Sequence, residues 1–192
     1  MITIQEEKKR VNMNLTLPKI LTRTLVASSR FFKVESLQLK FSNGEERQFE
    51  RMCGSNNGAV MVVPFYDNET LILIREYGAG THSYELGFPK GLIDTGETAA
   101  IAANRELKEE IGFGAKTLQE LKQVIMPPSH FNSKMTLFTA FNLYPEKLAG
   151  DEPEPLEVIK WPIAKIDELL ARDDFQEARC ISALLLALKA LK

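Results

Sequence analysis

The spacing of apolar residues divides the chain into a strand-rich first quarter and an alternating strand and helix remainder. Ile20 to Val26 is strand-prone, and from Phe32 to Phe41 apolar and polar residues alternate, the period of a half-buried strand. Asn43-Gly44 follows, a strong hairpin signal, and Glu46 to Met52 returns as a second strand. Residues 19–52 therefore predict a small antiparallel sheet with too little core of its own. Gly58–Phe65 and Thr70–Arg75 are short apolar runs that predict buried strands, and Tyr84–Phe88 is a further extended segment. Leu118–Ile125 reads as strand or helix edge, and Met126-Pro127-Pro128-Ser129 breaks it. Met135–Leu143 and Leu156–Trp161 predict strands on either side of an acidic, proline-rich loop, Tyr144–Pro155. Helices are predicted over Pro162–Leu170 and Phe175–Lys192, the last with apolar residues at 181, 184, 185, 188 and 191.

Strands flanked by helices on both sides predict an α/β/α sandwich around a mixed sheet, with the antiparallel sheet ahead of it. The expected boundaries are 1–55 for a charged lead-in plus the small sheet, and 56–192 for the main domain.

One stretch carries most of the chemistry: Gly91 to Phe113, GLIDTGETAAIAANRELKEEIGF. Gly91 and Gly96 predict a turn in which positive φ is cheap. Thr95 or Thr98 can cap a helix, Ala99 to Leu107 are mostly good helix formers, and Gly112 suits a left-handed end. Glu106, Glu109 and Glu110 fall at i, i+3 and i+4, on one helical face. Like charges so close repel, so the cluster is either a solvated acidic face or a site for a cation. Oxygen ligands on a helix suit a hard divalent ion, Mg²⁺ or Mn²⁺. Arg105 can pair with Glu97 and lock the turn to the helix.

Composition narrows the function. The 192 residues are 44% hydrophobic and 26% charged, with formal net charge −2, so no basic surface for nucleic acid is advertised. Two distant cysteines, Cys53 and Cys180, and two histidines leave little room for a disulfide framework, a zinc site or a histidine-based metal site. No apolar run reaches the roughly 18 residues of a membrane helix, and the charged first residues do not read as a signal peptide. A cytoplasmic protein is expected.

The elbow has a familiar spacing. Gly91, Glu97, Arg105-Glu106, Leu107, Glu109-Glu110, Gly112 and Phe113 together resemble the complete Nudix box. Beyond the box, SRFFKVESLQLKFSNG, LILIREY, SYELGF and GDEPEPL are similar to the bacterial ADP compounds hydrolase family, in the ADP-ribose pyrophosphatase branch. The resemblance implies the Nudix fold. It also implies Mg²⁺- or Mn²⁺-dependent hydrolysis of the diphosphate in ADP-ribose, diadenosine polyphosphates or NADH, with release of AMP. Carried over position by position, Glu106 and Glu110 would be the principal metal ligands, with Glu109 sharing in the site and the Lys90 backbone carbonyl adding a ligand. Gly91, Glu97, Arg105 and Gly112 would be structural.

The general base would come from the acidic loop, Glu152 or Glu154, with Glu152 the favoured of the two. Substrate contacts would fall to Arg51, Arg75, Glu85, Pro128, Ser129 and Phe131, with Phe49 or Phe131 available to stack on adenine. A homodimer formed through the N-terminal sheet is implied as well. The alternatives are a nucleotide-sugar pyrophosphatase acting on GDP-mannose or ADP-glucose, and a non-catalytic module that senses ADP-ribose or NAD. The intact acidic trio speaks against the second. A relative of the isoprenoid isomerases would want a cysteine near the metal, and neither cysteine is placed for it.

Overall fold

The computed structural model describes residues 16–55 and 57–191, so most of the lead-in lies outside the described residues. The chain divides into two compact units, with the boundary in sequence between Cys53 and Gly54. In the first unit, β1 (Lys19–Ser28), β2 (Lys33–Lys40) and β3 (Glu46–Cys53) form an antiparallel sheet in that order. The β2–β3 connection is a three-residue loop, Ser42-Asn43-Gly44, closed by Phe41 N–H donating to Glu45 O at 2.9 Å. Gly44 takes the left-handed conformation at φ 88°, the position a glycine fills in this loop type. All ten residues of β1 are exposed.

The second unit contains β4 (Ala59–Pro64), β5 (Thr70–Gly78), β6 (Ser83–Gly87) and β7 (Lys90–Leu92), then helix α1 (Ala99–Glu106). After α1 come β8 (Phe113–Ile125), β9 (Lys134–Pro145), β10 (Glu157–Pro162), a short α2 (Ile166–Leu170) and α3 (Ala178–Ala190). The strands form two sheets, one of them the expected mixed sheet. One is β7-β4-β9-β8, in which β4 and β9 are parallel and the other pairs antiparallel; the other is an antiparallel β10-β5-β6. An isolated bridge, Phe65 to Leu71, lies between them. Pro64 ends β4 with no N–H to donate, and β5 spends its backbone groups on β10 and β6 instead.

Alternation along β4 and β5 builds the layers. Val60, Val62, Ile72 and Ile74 pack with Ala102, Ala103, Leu107 and Ile111 from the α1 side. Met61, Val63, Leu71 and Leu73 face the other way, onto Leu169, Phe175, Ala183, Leu184 and Ala187. Each strand is thus apolar on both faces, which explains its unbroken hydrophobic run.

Three expectations need correction. Of the strand or helix edge expected over Leu118–Ile125, the strand forms, as part of a long β8 paired along β9, whereas the helix expected over Pro162–Leu170 is only Ile166–Leu170, because Pro162 is paired with Thr70 at the end of β10. The last helix begins at Ala178. Phe175 lies ahead of it, buried edge-on against Phe88 with ring centroids 5.9 Å apart. The buried face of α3 is Cys180, Ala183, Leu184 and Ala187, whereas Leu185 and Leu191 are half exposed. Small residues let the helix approach the sheet closely, so the packed stripe is one a count of large apolar side chains passes over.

Leu184→Ala should therefore lower stability by about 2–5 kcal/mol, the usual cost of truncating a buried leucine, and Leu185→Ala by less than about 0.5 kcal/mol. Equal losses in chemical denaturation would contradict this assignment of the face.

Candidate active site

The glycine-bounded elbow forms between β7 and α1. Thr98 is the N-cap, and its hydroxyl accepts from Ile101 N–H at 3.3 Å. Gly96 has φ 91° and Gly112 has φ 76°, as turn and helix end require. Gly91 does not take positive φ. It is a β7 residue against which the Glu106 carboxylate lies, and a Cβ there would run into that carboxylate. Close approach, not backbone freedom, is what this glycine supplies.

Past Glu106 the helix widens into a π turn, Leu107–Ile111. Such a turn inserts a residue into the winding and often marks a functional site. Glu106 and Glu110 are both buried, while Glu109 is more open. Burial pushes the Glu110 carboxyl up to about 9, opposed by Lys90 and assisted by Glu106 and Glu76. Glu106 is raised for the same reason, against the pull of Arg105. Two buried carboxylates side by side are an unfavourable arrangement without a counter-cation.

Arg105 supplies part of that charge. Its Nε and Nη2 donate to the two carboxylate oxygens of Glu97 at 2.9 and 3.0 Å, and Nη2 also reaches Leu92 O at 2.9 Å. Its Nη1 donates to Glu106 and to Glu109, each at 2.8 Å. The expected Glu97–Arg105 pair is thus formed as a fork, and it holds Glu97 below the usual carboxylate range. Because Nη1 lies between Glu106 and Glu109, the three glutamates are not gathered on one point. Among the described residues no three His, Cys, Asp or Glu side chains converge at metal-ligand spacing. The oxygen-only donor set nevertheless suits a hard divalent cation, whose arrival would relieve the two buried acids.

Glu110 accepts from Lys90 N–H at 3.2 Å, and the Lys90 ammonium pairs with Glu76. Burial lowers the Lys90 pKa, but Glu76 and Glu110 more than offset it, so it stays charged. These groups line a cavity of about 620 Å³ with the loop Ala149–Pro153.

Comparison with known proteins fits this constellation. Residues 56–185 match the NUDIX domain, and residues 18–51 match the NudE-type Nudix hydrolase N-terminal domain. The chain belongs to the Nudix hydrolase family. It is 56% identical over 182 residues to the ADP compounds hydrolase NudE of Escherichia coli, covering 95% of this chain and 97% of that one. It is 28% identical over 190 residues to the mouse (Mus musculus) ADP-sugar pyrophosphatase, covering 88% of this chain and 87% of that protein. A crystal structure of an ADP compounds hydrolase superposes with a TM-score of 0.87 at 56% identity, covering 92% of this chain and 95% of that one.

The other residues singled out in this Nudix hydrolase fall in several places. Glu152 lines the carboxylate cavity and also an adjoining pocket. Glu154 lines that pocket and accepts from the Tyr84 hydroxyl at 2.6 Å. Arg75 is at the same pocket, its guanidinium bound to Glu157 at 2.8 Å and Asp174 at 2.6 Å. Glu85 accepts from the Ser83 hydroxyl at 2.6 Å, a bond that lowers its pKa. It lines a third pocket, of about 480 Å³, which shares Glu76 and Lys90 with the carboxylate cavity.

Pro128, Ser129 and Phe131 lie in the turn after β8, where His130 and Phe131 N–H groups donate to Pro127 O at 3.1 and 3.0 Å. None of the three lines the carboxylate cavity; Phe131 lines another pocket with Met126 and Leu92, and Leu92 is the one residue it shares with that cavity. Arg51 belongs to the N-terminal unit and pairs with the buried Glu35 at 2.6 Å. Phe49 there is about half exposed and packs on Phe41.

Sequence reasoning missed the Glu76–Lys90 pair, the second and third partners of Arg105, and Asp174. A lysine directly ahead of an acidic elbow was the available signal for the first. Nothing local pointed to Asp174, which is 99 residues from Arg75.

Asp174 lies well below the usual carboxylate range, chiefly through Arg172 and then Arg75. Its folded pKa is depressed, so the stabilisation is present above about pH 4, the ordinary aspartate value, and fades as pH falls below it. Asp174→Asn should be less stable than wild type at pH 7, and the gap should be narrower at pH 2.5, in denaturant titrations at both pH values. A gap that persists unchanged at low pH would remove this ion pair from the account.

Proposed function

We propose that this Nudix hydrolase cleaves the diphosphate link of ADP-linked compounds, namely ADP-ribose, diadenosine polyphosphates and NADH, and releases AMP. The observation that carries the reading is the single cavity in which Glu106 and Glu110, both buried, face the acidic loop bearing Glu152. End-to-end similarity to the Escherichia coli ADP compounds hydrolase supports the substrate class.

Glu106 and Glu110 would hold a divalent cation, Mg²⁺ or Mn²⁺, with Glu109 and the Lys90 carbonyl as further oxygen donors. When bound, that ion would neutralise charge on the diphosphate and make water more acidic. Arg105 holds Glu106 from behind and ties the elbow through Glu97. Glu152 accepts the proton of the attacking water. The water oxygen bonds to one phosphorus, the bridging P–O bond breaks, and AMP and the other half leave as phosphate esters. Glu152 is preferred to Glu154 as base because it lines the carboxylate cavity, while Glu154 is engaged by Tyr84. Arg75 and Glu85 line the flanking pockets and would contact the substrate's two halves.

The chain is proposed to act as a homodimer through its N-terminal sheet. Support comes from β1, where Ile20, Leu21, Leu25 and Val26 are 40–57% exposed, and from exposed Phe31 and Phe32 beside it. An apolar strand face of this kind ordinarily finds a partner. Sedimentation equilibrium should give twice the 21.7 kDa of one chain, and Leu25→Glu should shift it toward the monomer. A monomer at micromolar concentration would end this part of the proposal.

Purified protein with Mg²⁺ or Mn²⁺ should release AMP from ADP-ribose, diadenosine triphosphate and NADH. Glu110→Gln should cut turnover by at least ~10²-fold, in the range of losing one preorganised group at a reacting centre. Glu152→Gln should cost more than Glu154→Gln. Absence of AMP from all three compounds would sink the proposal, and activity confined to GDP-mannose would move it to a nucleotide-sugar pyrophosphatase.

A further inference from the structure

Two tyrosines beside the candidate active site have no part in the mechanism above. Tyr77 and Tyr84 stand opposite each other on the β5–β6 ladder. Their rings meet edge to face, with centroids 5.7 Å apart and planes at 64°. Both remain substantially exposed, at 44% and 52%. Each is braced at its hydroxyl. Tyr77 is hydrogen-bonded to His82 Nδ1 at 2.7 Å, and Tyr84 donates to Glu154 at 2.6 Å. His82 holds φ at 55°, an uncommon conformation for a residue with a side chain. Two aromatic rings are thus held in fixed orientation at the surface.

The rings line a pocket of about 360 Å³, within the usual size of a small-molecule site. It shares Glu76, Glu152 and Pro153 with the carboxylate cavity, so the two are contiguous. A diphosphate held at Glu106 and Glu110 can therefore send one substituent past Glu152 into the space beside the tyrosines. The charge there says what kind of substituent fits. Arg75, the cation of this pocket, is already matched by Glu157 and Asp174, and Glu152 and Glu154 add negative charge. A further phosphate would be repelled. A flat, neutral or cationic ring would find an exposed aromatic edge and face to stack on.

We propose that Tyr77 and Tyr84 form a stacking subsite for a base on the second half of the substrate, favouring dinucleotides over ADP-ribose. The inference rests on the function proposed above and deepens it. Stacking on an aromatic side chain matters only when the second half carries a base, as the nicotinamide half of NADH does and the ribose phosphate of ADP-ribose does not.

The test is kcat/KM for NADH, a dinucleotide with no phosphate beyond the two of the diphosphate, and for ADP-ribose in wild type, Tyr84→Phe, Tyr84→Ala and Tyr77→Ala. Tyr84→Ala and Tyr77→Ala should lower the dinucleotide value about ten-fold more than the ADP-ribose value, in line with the loss of one base stack. Tyr84→Phe keeps the ring and loses the bond to Glu154, so it should leave the ratio of the two substrates unchanged. Equal falls on both substrates would make the tyrosines mere supports of the acidic loop and overturn the subsite. An unchanged ratio in both alanine variants overturns it as well, with ADP-ribose cleavage intact. Wild-type protein that cleaves neither compound overturns the proposed function itself, and this inference with it.

Discussion

Holding negative charge out of water is the costliest local demand in this fold, and the second unit is arranged around it. Glu106 and Glu110 are buried at the join between α1 and the sheet. Each needs a donor or a cation, and each receives one from a different direction. Arg105 reaches Glu106 from the helix, and the Lys90 N–H reaches Glu110 from β7. Neither contact survives without the elbow that sets β7 against the helix. Gly91 permits the approach, Thr98 starts the helix, and Gly112 ends it.

Arg105 is the hub of this arrangement. A planar fork with five N–H groups can bind Glu97 with two of its nitrogens and still reach Glu106, Glu109 and a backbone carbonyl. A lysine offers a compact point charge and could not repeat that geometry. The ammonium of Lys90 has a comparable place on the other side, where Glu76 keeps it charged despite burial. The Glu76–Lys90 pair borders both the carboxylate cavity and the pocket beside Glu85, which makes it a wall common to the two. The pocket beside the tyrosines shares Glu76 as well.

The similarity to an ADP compounds hydrolase runs through both units. The exposed β1 shows why the first unit is hard to understand as an isolated sheet. Ten consecutive exposed residues, several of them large and apolar, give it little reason to stay folded as a lone three-stranded piece. Its inward charge is managed locally, Glu35 being met by Arg51 at 2.6 Å and Arg23 at 3.4 Å.

Much of the fold was legible in the chain because its signals are local. Alternation gave β2, apolar runs gave β4 and β5, and the capping threonine and terminal glycine bounded α1. The fork between Glu97 and Arg105 was also legible, since both ends lie within one elbow. What required the tertiary structure depends on residues far apart in sequence. Asp174 meets Arg75 across 99 positions, and Tyr84 meets Glu154 across 70. No local pattern encodes such pairs, because they follow from how β6, β10 and the approach to α3 stack. The packed face of α3 belongs with them: it runs through cysteine and alanine, whose role is closeness to the sheet rather than size. By itself the sequence determined the elements and the acidic elbow, through period and spacing. Packing alone decided which carboxylates are buried and which cation answers each, because burial is a property of the assembled layers.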